Sequence, residues 1–148
     1  MEHSGQTLAD AGELEFIRRI RALMPGDGGS LVRSAGDDCA VVEPPGGGRL
    51  LFTVDTFVDG VHFTPEYASW HEIGARCAAA SVSDIAAMSG VPLWTLTSLS
   101  MPRTLLLDDA VALFRGLAET AEAYGCPVAG GETTSTPGPV TVTVARDN

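Results

Sequence analysis

The order of helical and strand-like patterns along the chain predicts an α+β protein, a mixed, four-stranded-type sheet with helices on one face. Three observations lead there. Two long stretches, Trp70–Met88 and Asp108–Tyr124, repeat apolar residues at helical spacing. Five short runs (Cys39–Glu43, Arg49–Asp55, Pro92–Met101, Pro127–Ala129 and Val140–Val144) are rich in strand formers and bounded by Gly and Pro. The sequential order is helix, hairpin, helix, strand, helix, strand, strand, so helices and strands share one chain segment rather than separate blocks.

Composition bounds the class. With 148 residues, 45% hydrophobic and 19% charged, the chain has the size of one domain (1–148) with a core of its own. Residues 1–11 read as a flexible leader. No apolar run reaches the roughly 18 residues of a membrane span, and the first residues lack a secretion signal, so a cytoplasmic protein is expected. Nineteen acidic against 9 basic residues leave a net charge of −10, which repels polyanions and excludes nucleic acid as the expected partner. The same surplus suits divalent cations. Cys39, Cys77 and Cys126 are odd in number and widely spaced, so they read as structural thiols and not as a disulfide or zinc framework.

Each element has a local cause. In Glu13–Met24, Leu14, Ile17, Ile20 and Met24 line one helical face, Asp10 with Glu13 resembles a capping box, and Pro25-Gly26 would end the helix. Pro44, Pro45 and three glycines separate two β-rich runs, which indicates a hairpin with a flexible tip. Antiparallel pairing then returns Asp55 toward Asp37 and Asp38. In Trp70–Met88 the many alanines allow close approach of helix and sheet, and Asp84 projects from near the inward face. Val111, Phe114, Leu117 and Ala121 mark the next helix, with Gly125 at its end. Gly130-Gly131 is expected to form a turn after a short strand, ahead of the last strand.

Threonine alternates with leucine or valine in "LWTLTSLS" and "PVTVTVA", so neither face of these strands is strongly polar. Two such sheets packed across a homodimer would cover both. The carboxylates gather at strand ends and on one helix: Asp37, Asp38, Asp55, Asp84 and Glu132. Magnesium prefers oxygen ligands and bridges a few carboxylates to substrate phosphates, which this content fits. No Walker loop, kinase catalytic loop, His/Cys cluster or Ser-His-Asp set competes.

The segments "GELEFI", "GDDCAVV", "TVDTFVDGVHF", "SVSDIAAMSGVPLW" and "VAGGETT", in this order, resemble the N-terminal half of the thiamine-monophosphate kinase family. That family belongs to the superfamily of aminoimidazole ribonucleotide (AIR) synthetase. The resemblance implies an AIR synthetase N-terminal-like fold, with the sheets of two chains packing as a dimeric barrel. It also implies ATP- and Mg2+-dependent phosphorylation of thiamine monophosphate to thiamine diphosphate. By motif, Asp38, Thr53, Asp55, Asp84 and Glu132 take the metal positions, with Asp37, Val54 and Thr56 flanking them. His62 takes the substrate position, and Gly131 with Glu132 the nucleotide-contacting one. Gly-Gly-Glu stands where the family usually has Gly-Gly-Asp, "GGETTSTPG" is closer to AIR synthetase itself, and these 148 residues are expected to be the N-terminal domain without the family's usual C-terminal one. The alternatives are a non-catalytic dimerising module that binds Mg2+ or nucleotide, and a sister enzyme acting on a purine precursor.

Overall fold

The computed structural model describes residues 6–24 and 26–148. Ten elements follow in order: α1 (Leu8–Ala11), α2 (Glu13–Arg21), β1 (Leu31–Arg33), β2 (Ala40–Val42), β3 (Leu50–Val58), α3 (Trp70–Ala87), β4 (Trp94–Met101), α4 (Leu107–Ala123), β5 (Val128–Ser135) and β6 (Thr141–Asp147). The strands form one six-stranded sheet in the order β1-β2-β3-β6-β4-β5, larger than the four-stranded type expected. All pairs are antiparallel except β4 with β5. The α+β expectation therefore holds at the level of class. Strand β1 escaped the sequence reading because its three residues are too few for a periodic signal.

Helices α3 and α4 lie together on one face of the sheet. They touch through two glycines: a Cβ on Gly74 would stand 1.9 Å from the Leu113 carbonyl oxygen, and one on Gly116 would stand 1.9 Å from that of His71. Beneath them, Ile73, Cys77, Leu113, Leu117, Val142 and Val144 form the main core. A smaller core of Cys39, Val41, Leu51 and Ile85 sits where α3 crosses β2 and β3. All three cysteines are free and buried, as structural thiols should be. Ser69 caps α3 in a box with Glu72, which explains the sharp start at Trp70.

The N-terminal segment departs from its sequence reading. Asp10 completes a capping box with Thr7, not with Glu13, so Leu8–Ala11 is a single helical turn inside the stretch expected as leader. Gly12 then caps α2 without a side-chain bond. The amphipathic α2 forms, but none of its residues is buried in this chain. Pro25 and Met1–Gly5 lie outside the described residues.

The second departure concerns Gly130 and Gly131. They stand inside β5 and neither takes a positive φ. Parallel pairing with β4 runs unbroken from Leu96↔Gly130 to Met101↔Ser135 and carries the strand through them. Glycine is required at 131 because a Cβ there would lie 2.0 Å from the Thr97 carbonyl oxygen. At 130 the nearest atom to such a Cβ is Leu96 Cδ2, at 3.8 Å.

The face of the sheet away from the helices is apolar and open in the single chain. Phe52 (44% exposed), Val54 (64%), Trp94 (53%) and Leu96 (53%) share it. Among the described residues no helix is long and apolar enough to cross a membrane.

Candidate functional site

Strand β3 divides its side chains by alternation. Leu51, Thr53, Asp55 and Phe57 point toward the helices, and Phe52, Val54 and Thr56 point away. The β2–β3 ladder ends at Ala40↔Phe52, and Asp37 and Asp38 lie on the bend that precedes it, where Asp38 borders a cleft with Thr53 and Val54. The antiparallel return expected from the sequence thus gathers these carboxylates at one end of the hairpin. Helix α3 closes the cluster from above, where the Thr53 hydroxyl donates a 2.7 Å hydrogen bond to Asp84 Oδ2.

The electrostatics show how tightly these groups share space. Burial raises the Asp55 pKa above its usual 3.8, the Asp84 charge raises it further, and Arg146 opposes both. The Cys39 thiol, on the residue next to Asp38, is pushed up to about 11 by burial first and then by Asp84, Asp38, Asp37 and Asp55. Four carboxylates therefore act on one buried sulfur atom.

The donor set is chemically right for a hard divalent cation: carboxylate oxygens and a hydroxyl, with no imidazole or thiolate presented. Among the described residues no three Asp, Glu, His or Cys side chains converge as one closed metal cage. Magnesium does not need such a cage, since it commonly takes one or two carboxylates and completes its shell with water and phosphate oxygens. The residues fit that mode of binding.

Glu132 is placed elsewhere. Its partner across the ladder is Ser98, which pairs with Thr143, which pairs with Thr56. This row lies on the open face of the sheet, whereas Asp55 and Asp84 lie on the helix side. Three strand spacings, about 14 Å, also separate β5 from β3. Within one chain Glu132 does not join the acidic cluster. Gly131 and Glu132 instead border a cleft of about 510 Å3 between β5 and α4, walled by Val111, Phe114, Leu99 and Val128. Phe114, which in the sequence only marks the helical spacing of α4, is a further site candidate. Its 41% exposure beside two glycines is visible only once β5 is seen to run along α4.

His62 follows β3 on a turn. Its Nδ1 accepts a 3.0 Å hydrogen bond from the Val58 backbone N–H, and its ring meets Phe57 edge-on at 6.2 Å. With Nδ1 occupied as an acceptor, the neutral ring carries its proton on Nε2 and offers a donor. A cavity of about 520 Å3 opens beside it, lined by Phe57, Phe63, Tyr67, Arg76 and Ala80 among others. Phe57 is the next inward residue after Asp55, and Ala80 is one helical turn before Asp84. The cavity therefore starts where the acidic cluster ends.

One group was not singled out from sequence at all. Arg146, in β6, is 3% exposed and lies on the helix side beside Thr53. A lone arginine near a chain end carries no sequence signal of burial.

Residues 36–146 match the family described as AIR synthase related protein, N-terminal domain. The chain belongs to this family. Among curated relatives of this AIR synthase related domain, the thiamine-monophosphate kinase of Synechococcus elongatus is 32% identical over 134 residues, covering 90% of this chain and 39% of the relative. The Bacillus subtilis thiamine-monophosphate kinase is 38% identical over 109 residues, covering 74% of this chain and 34% of the relative. Among solved structures, AaThiL complexed with AMPPCP and TMP superposes with a TM-score of 0.85 at 28% identity, covering 97% of this chain and 44% of that one. The chain thus spans well under half the length of the kinases it resembles.

Proposed function

We propose that this AIR synthase related domain is the metal- and nucleotide-binding half of a phosphotransferase that converts thiamine monophosphate to thiamine diphosphate at the expense of ATP. The observation that carries the reading is the helix-side row of β3, where Thr53, bonded to Asp84, and Asp55 are followed by Phe57 in the wall of the cavity that His62 lines, in a chain similar to thiamine-monophosphate kinases over most of its length.

Phosphoryl transfer needs little covalent chemistry from the protein. It needs two anionic groups aligned and the charge on the reacting oxygens neutralised. A bound Mg2+ would supply that neutralisation, and Asp38, Asp55 and Asp84 are the residues that would hold it. Thr53 fixes the Asp84 carboxylate by occupying Oδ2, which leaves Oδ1 free for an incoming ligand. Asp55 is disfavoured as a bare anion and so gains from any cation placed beside it. His62 would donate from Nε2 to the substrate, and the aromatic walls of its cavity would exclude water from the organic part. The cleft between α4 and β5 offers Phe114 and Val111 for an aromatic base, with the strand backbone at Gly130 and Gly131 left uncovered.

The homodimer belongs to the same proposal. Phe52, Val54, Trp94 and Leu96 make an apolar sheet face that a second copy would bury. Glu132 lies on that face.

The test is turnover. This chain alone, this chain joined to the C-terminal half of the Bacillus subtilis relative, and the joined Asp55→Asn variant are assayed for thiamine diphosphate from thiamine monophosphate and ATP. The reading expects turnover by the joined protein only, with the variant reduced at least about a hundredfold, as expected where a residue orients reacting groups. No turnover by the joined protein, when it folds and binds both substrates, would count against it.

A further inference from the structure

Arg146 is a buried charge without a salt bridge. Its guanidinium donates to Ser81 Oγ at 3.1 Å, Thr95 Oγ1 at 2.6 Å and the Ala78 carbonyl oxygen at 2.9 Å, and also meets Cys126 Sγ. The two hydroxyls and the carbonyl carry no charge, and the fourth partner is the Cys126 sulfur. Among the described residues no carboxylate lies within 4.0 Å of it, since the ion pairs there are Arg18 and Arg19 with Glu15, and His71 with Glu119. Hydrogen bonds satisfy the donors but leave the charge itself uncompensated in a low-dielectric setting, which is costly.

The compensation comes from one layer further out. Arg146 is the cross-strand partner of Thr53, and Asp55 is the next residue on that face of β3. The backbone positions of such a diagonal pair stand about 7–8 Å apart. On α3, Ser81 precedes Asp84 by one helical turn, so the helix that takes the guanidinium's hydrogen bonds also presents Asp84. Thr53 lies between them and donates to Asp84. Arg146 thus shares its neighbours on β3 and α3 with Asp55 and Asp84, while its guanidinium is bonded to α3 and, on the β4 side, to Thr95 and Cys126.

We propose that Arg146 is the resident counter-ion of the Asp55–Asp84 pair, a positioning residue that holds the carboxylates together when no metal is bound. The electrostatics are consistent with this: burial lowers the Arg146 pKa, Cys126 raises it and Asp55 raises it less, and Arg146 in turn opposes the upward effect of burial and Asp84 on Asp55. A divalent cation at the same carboxylates would then compete with this built-in charge. The domain would keep its shape without metal, and the metal would bind reversibly where an uncompensated pair would hold it more tightly. This last step rests on the cation reading above. The counter-ion role itself does not.

The two are separated by experiment. First, thermal midpoints of the metal-free protein are measured for wild type, Arg146→Met, Asp55→Asn and the double variant. A counter-ion loses its value once its partner is neutral, so Arg146→Met should lower the midpoint by less than half as much in the Asp55→Asn background as in wild type. Equal losses in both backgrounds would overturn the proposal and leave Arg146 as a packing post. Should Arg146→Met fail to fold without metal, Arg146→Lys and Arg146→Gln replace it in the same cycle. Lysine, which keeps the charge, should retain the coupling to Asp55 and glutamine should lose it, and equal behaviour of the two would overturn the proposal. Second, Mn2+ binding is titrated. Arg146→Met should bind at least about tenfold tighter than wild type, because a unit charge at this range no longer opposes the ion. Unchanged or weaker binding would overturn the competition. If no variant binds Mn2+ while the Asp55 coupling persists, the cation reading fails and the counter-ion stands. Binding of Mn2+ without the Asp55 coupling would leave the cation site standing and overturn the counter-ion.

Discussion

The Thr53 hydroxyl donates to Asp84 Oδ2 across 2.7 Å, and this one bond ties the strand that begins the acidic cluster to the helix that closes it. Hydrogen bonds to a charged acceptor contribute about 1.5–3 kcal/mol, so Thr53→Val should lower unfolding stability by roughly that amount. It should also loosen Asp84 and weaken divalent binding. Urea midpoints and a Mg2+ titration check the two effects, and a variant that loses stability but binds as wild type would separate the bond from the site.

Asp55 makes the metal-free domain less stable at neutral pH than it would be with a neutral residue there. Its folded pKa is raised above 3.8 by burial and by Asp84, so relative to the unfolded chain its favourable contribution is complete below pH 3.8 and is lost as pH rises through the folded value. Asp55→Asn should therefore raise the metal-free melting temperature at pH 7, with the gain vanishing near pH 3. Scanning calorimetry in a chelator across that range checks the sign.

Much of this site was legible before any coordinates. Hairpin geometry could return Asp55 toward Asp37 and Asp38, and helical spacing could set Asp84 near the inward face of its helix, because both are short-range rules, whereas only the family resemblance joined them into one set. Glu132 could not be placed that way. Its position depends on β5 joining the sheet beside β4 and on which face it presents, and a parallel crossover leaves no local mark in the sequence. The glycines before it misled for a related reason: Gly-Gly signals a turn unless a neighbouring strand comes too close for a Cβ. Arg146 was illegible because its burial is made by Ser81, Thr95 and Cys126, residues distant in sequence.

Gly131→Ala should damage the fold whatever its effect on ligands. The added Cβ would meet the Thr97 carbonyl oxygen at 2.0 Å, and overpacking of this kind costs about 1–3 kcal/mol. Gly130→Ala, with its nearest neighbour at 3.8 Å, should be nearly neutral by the same measure. Denaturant midpoints of the two variants check the contrast. Loss of nucleotide binding in Gly131→Ala alone would say little about direct contact.

The apolar sheet face predicts association. Trp94 and Leu96, each 53% exposed in the single chain, should be covered in a dimer at micromolar concentration. Leu96→Glu should dissociate it by burying a charge without a partner. Sedimentation velocity on both proteins checks this, and a monomeric wild type would contradict it.

In the proposed function Asp84 and its neighbours hold a divalent cation against nucleotide phosphates. Calorimetric titration with a non-hydrolysable ATP analogue tests it most directly, run on wild type and Asp84→Asn, each with Mg2+ and with chelator. The account predicts binding by wild type in Mg2+, loss of that binding in chelator, and binding at least about tenfold weaker in Asp84→Asn, the size expected for removing a charged ligand. Equal binding in chelator, or an Asp84→Asn variant that binds as tightly as wild type, would contradict it.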